Sequence, residues 1–231
     1  KYLGDRYHFS QVVIFTFAVM LVLVSAVGYW QQGAEAFRIK KKGLVCLRAV
    51  LSVAVGALNV YVMPHLQLTT FYTLVFTSPL FVAVMSSLIL KEKLEKRQLA
   101  AIVAGFAVIL FVFKPGAGLF SIYAVLALLS SFLYAISAIV MRKIGPDEHV
   151  TVIVNVGCVF TVVAMLPLMW GKYVMPTAVD LIPLVLMGVM CAIAISCIAY
   201  SYQNAASAAS IAPYHYTQIV YGALIGYFFF H

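Results

Sequence analysis

Charge is scarce in this sequence. Only 10% of its 231 residues are charged, 65% are apolar, and mean hydropathy is +1.05. A soluble domain carries about 25% charged residues, because something must face water. That shortage excludes an ordinary water-soluble globule and points to hydrocarbon as the main solvent. Acids are scarcer still: Asp5, Glu35, Glu92, Glu95, Asp147, Glu148 and Asp180 are the whole set, and all fall in expected loops or at span ends. Proton- and sodium-coupled carriers often place a carboxylate at membrane depth. Its absence points to an exchanger or facilitator, although a histidine can still relay a proton.

Other absences narrow the reading. Cys46, Cys158, Cys191 and Cys197 form no CxxC pair and no metal-ligand spacing, so they read as free thiols packing as small apolar residues. There is no N-x-S/T sequon and no cleavable signal sequence, and residues 1–10 read as a polar loop. No HExxH, no GxSxG and no paired intramembrane carboxylates occur, which argues against an intramembrane enzyme and implies no cofactor and no metal. The net charge of +8 does not read as a nucleic-acid footprint. The basic residues sit in short clusters between apolar runs, as helix anchors do.

What is present is a series of apolar runs. Eight spans are expected, at 11–30, 44–63, 68–90, 98–113, 119–141, 150–170, 181–203 and 208–230. Most reach the ~20 residues that a helix needs to cross about 30 Å of hydrocarbon. Helices are expected throughout, because a helix satisfies its own backbone polar groups in lipid. The loops at 31–43, 91–97, 142–149 and 204–207 then share one side. That side, with Arg48 just inside a span, holds 11 of the 15 Lys and Arg; Lys1, Arg6, Lys114 and Lys172 lie opposite. The basic side is expected to be cytoplasmic.

Sliding the chain on itself by 140 residues brings spans 11–30, 44–63 and 68–90 onto 150–170, 181–203 and 208–230 without a gap. Leu44-Val45 falls on Leu184-Val185, Ala54 on Ala194, Thr77 on Thr217 and Ala83 on Ala223. Identity is low; the register of spans and loops carries the signal. One repeat length holds an odd number of spans, so the two copies lie in opposite orientations. Inverted repeats of this kind are common in secondary transporters, with substrate bound between them near the midplane. Residues 1–113 and 114–231 are the expected halves. The repeat also implies a first and a last helix beyond this chain, ten in all.

The segments Phe76-Thr-Ser-Pro-Leu-Phe81 into Leu90-Lys-Glu-Lys-Leu94, Leu133-Tyr-Ala-Ile136 with Met141-Arg-Lys-Ile-Gly145, and Ala212-Pro-Tyr-His-Tyr-Thr-Gln-Ile219 resemble the drug/metabolite transporter superfamily, EamA type. The resemblance covers nearly the whole chain and implies an all-α bundle of two inverted five-helix repeats. Lys1-Tyr-Leu-Gly4 and Ala212-Pro-Tyr214 look most like its S-adenosylmethionine transporter branch. Other members export amino acids, aromatic metabolites and drugs, so the fold does not name the substrate. The resemblance also implies a multi-pass protein of the bacterial inner membrane.

Candidate substrate residues follow from polarity at membrane depth. Tyr214, Thr217, Gln218 and Tyr221 share one helical face, and lipid penalises Gln, so that face is expected to point into the bundle. It serves either substrate or helix–helix hydrogen bonding. His215 lies at its edge. Span 68–90 carries Thr77 and Ser78 beside Pro79, which frees the Val75 carbonyl either for substrate or within a structural kink. Arg48 either snorkels to the interface or clamps an anion. Asn59 is a further cavity candidate, with Tyr134, Asn155 and His65 weaker ones. The expected function is a carrier for a small organic metabolite; a channel or a non-transporting scaffold is the alternative. The expected partners are that metabolite and the lipid bilayer, without nucleic acid; no feature sets the oligomeric state.

Overall fold

The computed structural model describes residues 6–113 and 121–230, without the side chains at 112, 113, 223, 225–227, 229 and 230. The sequence features at Lys1–Gly4, Asp5, Lys114 and His231 lie outside these residues. All described regular structure is helical. The helices are α1 (Phe9–Gln32), α2 (Lys42–Val62), α3 (Leu68–Val75), α4 (Ser78–Ile89), α5 (Lys96–Phe113), α6 (Ile122–Ile144), α7 (Val150–Met169), α8 (Ala178–Asn204), α9 (Ala208–Ile211) and α10 (Thr217–Phe230). Short 3₁₀ turns follow α1 and α2, and another, Ala212–Tyr216, joins α9 to α10.

Six segments are long and apolar enough to cross a bilayer: Phe9–Phe37, Lys42–His65, Leu68–Ile89, Ile122–Ile144, Val150–Met169 and Ala178–Asn204. Each lies on an expected span. The other two expected spans correspond to α5 and to the segment 208–230. Large apolar side chains left open along these helices, such as Trp30 at 86% exposure, Val22 and Phe111, suit hydrocarbon rather than water. Two spans are not the continuous helices expected. Segment 68–90 breaks between α3 and α4, and segment 208–230 breaks through the 3₁₀ turn into α10.

The chain forms two compact units. The first takes Lys1–Val53 and Ile144–Asn204; the second takes Ala54–Lys143 and Ala205–His231. Each therefore draws on both sequential halves.

In the first unit, α1 packs on α7 and α8. Small residues permit this. A Cβ on Gly28 would lie 2.5 Å from Thr151 Oγ1, and one on Gly188 would lie 2.5 Å from Val19 Cβ. Gly33, at φ 60, ends α1 in a backbone conformation that costs glycine nothing. Two polar ties close this unit. On one, Lys40 Nζ donates to the Asp147 carbonyl at 2.8 Å, and the backbone N–H groups of Lys40 and Lys41 donate to the buried Glu148 carboxylate at 2.8–3.2 Å. On the other, the buried Asp180 carboxylate accepts the Tyr7 hydroxyl at 2.7 Å, Thr177 Oγ1 at 2.6 Å and Arg6 at 3.4 Å. The 140-residue offset relates the two ties: it carries Lys40 onto Asp180 and Tyr7 onto Asp147. Residues 38–42 thus meet 144–148, and residues 6–11 meet 172–180, which is the grouping of loops by side that the spans require.

The titrating groups in these ties shift accordingly. The Lys41 ammonium, 3.0 Å from Asp147, holds that carboxyl below its usual range. Its contribution is present above the unfolded pKa and is lost as pH falls through the folded one; an exposed pair of this kind adds little. Donation to Asp180, and then burial, raise the Tyr7 hydroxyl. A raised pKa contributes fully below the unfolded value of about 10 and is lost as pH climbs through the folded one. Thermal melts followed against pH should therefore show an alkaline loss of stability that Tyr7→Phe removes.

Gln203 is buried, and its Nε2 donates to the carbonyls of Gly145 at 2.7 Å and Glu148 at 2.8 Å. Gln203→Ala leaves two buried carbonyls without this donor and should destabilise the protein by about 2 kcal/mol, read as a lower melting temperature in detergent.

In the second unit, α9 and the 3₁₀ turn pack on α4, and the turn also meets α5 and α10. The buried Ala208, Ala209 and Ala212 allow that close approach. Arg142 Nε donates to Glu92 at 3.1 Å, and the other Glu92 oxygen accepts the Ala208 N–H at 2.9 Å at the start of α9. Residues 92, 142 and 206–208 meet here, again as the grouping of loops requires.

Candidate substrate-binding site

The polar groups of the second unit converge on α6 and on the two helix breaks. At the first break, Pro79 lies in the opening turn of α4, where its missing N–H is no loss. The ring leaves the Val75 carbonyl without its helical donor. Ser131 of α6 supplies the replacement: its Oγ sits 2.8 Å from the Leu74 carbonyl and 3.3 Å from that of Val75. Thr77 Oγ1 also donates to Leu74 O, at 2.6 Å. Of the two readings of the freed carbonyl, the geometry is that of a held structural kink, with Ser131 as the holder.

The second break repeats this. Thr217 Oγ1 donates to the Tyr214 carbonyl at 2.7 Å. Positions 214 and 217 are 74 and 77 shifted by 140, so both breaks carry the same threonine bond to the carbonyl three residues back. The 3₁₀ turn between α9 and α10 holds Pro213, His215 and Tyr216. His215 Nε2 lies 3.3 Å from the Tyr134 hydroxyl of α6, with the two rings perpendicular and 5.6 Å apart. Tyr216 turns inward, 6.4 Å from Phe76, over Gly105. A Cβ on Gly105 would stand 2.2 Å from the Tyr216 ring, so glycine makes the room. The Tyr216 hydroxyl and Thr70 Oγ1 are buried without a hydrogen-bond partner among the described residues. Gly105→Ala should push the Tyr216 ring away and lower stability by about 1–3 kcal/mol, and Tyr216→Ala in the same chain should relieve the clash. A double-mutant cycle of melting temperatures measures both.

α6 thus grips both breaks from one turn, through Ser131 and Tyr134. Ser130 beside them donates to Asn59 Oδ1 at 2.7 Å, so the Asn59 amide serves a helix–helix contact. Thr77 and Ser78 are buried at the first break. Tyr214, Thr217, Gln218 and Tyr221 are exposed, with Tyr214 at 69% and Tyr221 at 63%. Their shared face is therefore not turned inward as expected. The alanines of α9 and the 3₁₀ turn take the packed side, and a 3₁₀ turn of five residues, at about three residues per turn, shifts the register that a continuous helix would keep.

Arg48 belongs to the first unit and does not snorkel. It is 8% exposed, and its Nη1 donates to the Ile153 carbonyl at 3.1 Å. Gly157 opens the place it fills: a Cβ there would come within 3.2 Å of Nη1. Asn155, in the same unit, donates to Ser25 Oγ at 2.9 Å. His65 stacks on Tyr123 at 4.2 Å. Sequence reasoning missed Ser130, Ser131 and Tyr216. The adjacent serines inside an apolar run were the available signal for the first two.

Known proteins resemble this chain along its length. It is 24% identical over 231 residues to an S-adenosylmethionine uptake transporter of Rickettsia prowazekii (strain Madrid E), covering all of this chain and 78% of that protein. It is 25% identical over 170 residues to a pseudopaline exporter of Pseudomonas aeruginosa (strain UCBPP-PA14), covering 72% of this chain and 58% of the exporter. A riboflavin transporter of Brucella anthropi is 26% identical over 136 residues, 58% of this chain and 48% of its own. One solved crystal structure superposes with a TM-score of 0.75 over 93% of this chain and 78% of its own, at 15% identity, which shows a shared fold. The EamA-like transporter pattern matches residues 1–114 and again residues 121–231. With bilayer-length helices and the family pattern matched twice, this multi-pass membrane protein is a small-molecule transporter, not an enzyme, and belongs to the EamA-like transporter family.

Proposed function

We propose that the chain is a secondary carrier that moves a small organic metabolite by alternating access, with S-adenosylmethionine the first candidate. The observation that carries the reading is the pair of helix breaks at repeat-related positions, each with the same threonine bond. Discontinuous helices at matching places in two inverted repeats mark the substrate region of many carriers. In this reading the halves 1–113 and 114–231 are the two repeats, as the paired ties of the first unit also favour.

The substrate residues proposed are Tyr214, His215, Thr217, Gln218 and Tyr221 around the second break, Thr77 and Ser78 at the first, with Asn59; Arg48, in the first unit, is proposed by itself as an anion clamp. An exposed Gln within a span faces either lipid or water, and the penalty in lipid favours a water-filled cavity. Aromatic rings, hydroxyls and few charges suit a moderately polar metabolite with a cationic or aromatic group, held by stacking or cation–π contact. S-adenosylmethionine has that chemistry, and relatives named for its uptake span the whole chain.

The test is uptake of labelled S-adenosylmethionine into proteoliposomes, with and without S-adenosylhomocysteine inside. Saturable uptake that falls at least tenfold in Gln218→Ala and Tyr214→Ala is expected; tenfold corresponds to about 1.4 kcal/mol of lost interaction. Uptake of riboflavin or an aromatic amino acid in its place would replace the substrate and leave the carrier. No saturable flux of any of them would remove the reading.

A further inference from the structure

Two hydroxyls in the second unit are buried with no hydrogen-bond partner among the described residues: that of Tyr216 on the 3₁₀ turn and Thr70 Oγ1 on α3. Thr70 is fully buried. Nearby threonines use their hydroxyls. Thr73 donates to the Thr69 carbonyl at 2.8 Å, and Thr77 to that of Leu74 at 2.6 Å. Thr70 lacks the equivalent bond because Leu66, four residues back, is still in extended backbone. A tyrosine ring is content in an apolar setting, but its hydroxyl ordinarily finds a partner there. A buried polar group without one costs free energy, so such groups are few in folded proteins and each calls for a reason.

The elements around them sharpen this. α3 and the turn both pack on α5. From Leu99 to Phe113, α5 consists of Leu, Ala, Ile, Val, Gly and Phe alone, so it offers neither hydroxyl a side-chain partner. Its backbone groups are engaged within the helix. Tyr216 approaches it closely over Gly105 and lies beside Phe76. α3, α4, α9 and the turn hold no Asp, Glu, Lys or Arg. An apolar floor, aromatic rings and two unengaged hydroxyls thus come together on elements without a fixed charge. A charged group would be desolvated there without compensation. A flat ring with nitrogen or oxygen on its edge finds both apolar contact and hydrogen bonds.

We propose that Tyr216 and Thr70 form a subsite for an uncharged heteroaromatic part of the substrate, their hydroxyls bonding its edge and the α5 face at Gly105 carrying its plane. The proposal rests on the reading of the second helix break as the substrate region, and it names the part of the substrate taken there. Both hydroxyls are covered in this conformation, so the ring reaches them when the turn moves off α5. The room over Gly105 that the Tyr216 ring then leaves is room for another planar ring.

The test is binding rather than flux: equilibrium dialysis of the purified protein in detergent against labelled adenosine and labelled riboflavin, two uncharged heteroaromatic compounds. The wild type should bind at least one of them. Tyr216→Phe and Thr70→Val, which keep the shape of each side chain and remove only the hydroxyl, should each weaken that binding about five- to tenfold, the loss of one hydrogen bond. The melting temperature of Tyr216→Phe without ligand should hold or rise, because its hydroxyl has no partner to lose. A wild type that binds neither compound overturns the proposal. Unchanged affinity in either variant does so too, as does a lower ligand-free melt in Tyr216→Phe, which would mean that the protein itself holds the hydroxyl. The carrier reading is judged apart: saturable counter-exchange of a compound without a ring leaves it standing and removes this subsite.

Discussion

Gly188→Val should be among the most damaging single changes in this protein, lowering its stability by about 3 kcal/mol or more and abolishing recovery of monodisperse protein in detergent. The first atom beyond the Cα already has no room. A Cβ at Gly188 would stand 2.5 Å from Val19 Cβ, 2.6 Å from Val19 Cγ1 and 3.1 Å from the Thr16 carbonyl. Val19 Cβ is tied to the α1 backbone and Thr16 O is backbone, so no flexible side-chain end can yield. Valine adds two methyl groups to that clash and would force α1 and α8 apart. Without a hydrophobic drive between helices in lipid, their association depends on this close packing. Gly188→Ala should be damaging for the same reason, and Val19→Gly in the same chain, which removes the Cβ it meets, should relieve most of that clash. Position 188 is position 48 shifted by 140, so the site that holds glycine against α1 holds Arg48 against α7 in the other repeat. One crossing is closed by contact of backbones, the other by a guanidinium reaching a carbonyl.

Glu148→Ala should lower stability by about 3 kcal/mol, because it removes a buried carboxylate that accepts from two backbone donors. Its oxygens lie 3.0 and 3.2 Å from the Lys40 N–H and 2.8 Å from the Lys41 N–H, just before α2 begins. Hydrogen bonds to a charged group are the stronger kind, and each N–H left without its partner adds its own desolvation cost. The first turn of α2 and the 38–42 loop should loosen together. Hydrogen–deuterium exchange should show faster exchange confined first to residues 38–45, and thermal melts give the size of the loss. Glu148→Gln keeps one acceptor oxygen and should recover about half of it.

The spans were legible because their signal is local. Each is a run of apolar residues, most of them bounded by Gly, Pro or charge, and the described helices lie on the expected segments. The breaks were legible only in part. Pro79 marks the first, but its counterpart at 219 is isoleucine, and the second break instead begins at Pro213 and the 3₁₀ turn. The same architecture thus has a different sequence cause in each half. The polar stripe of Tyr214, Thr217, Gln218 and Tyr221 was assigned its direction on the assumption of an unbroken helix, and the turn removes that assumption. Arg48 could not be placed from its neighbours in sequence, because the room it fills comes from Gly157. The grip of α6 on both breaks joins residues 57 and 81 positions apart, which no periodicity reports.

The carrier proposed above changes shape once per substrate carried. The most direct test is trans-stimulation. Proteoliposomes are filled with the labelled compound that the uptake screen identifies, and efflux is timed with and without the unlabelled compound outside. A carrier returns faster when loaded, so efflux should accelerate several-fold and saturate with external substrate. Efflux that ignores external substrate and never saturates would describe an open pore and contradict the account.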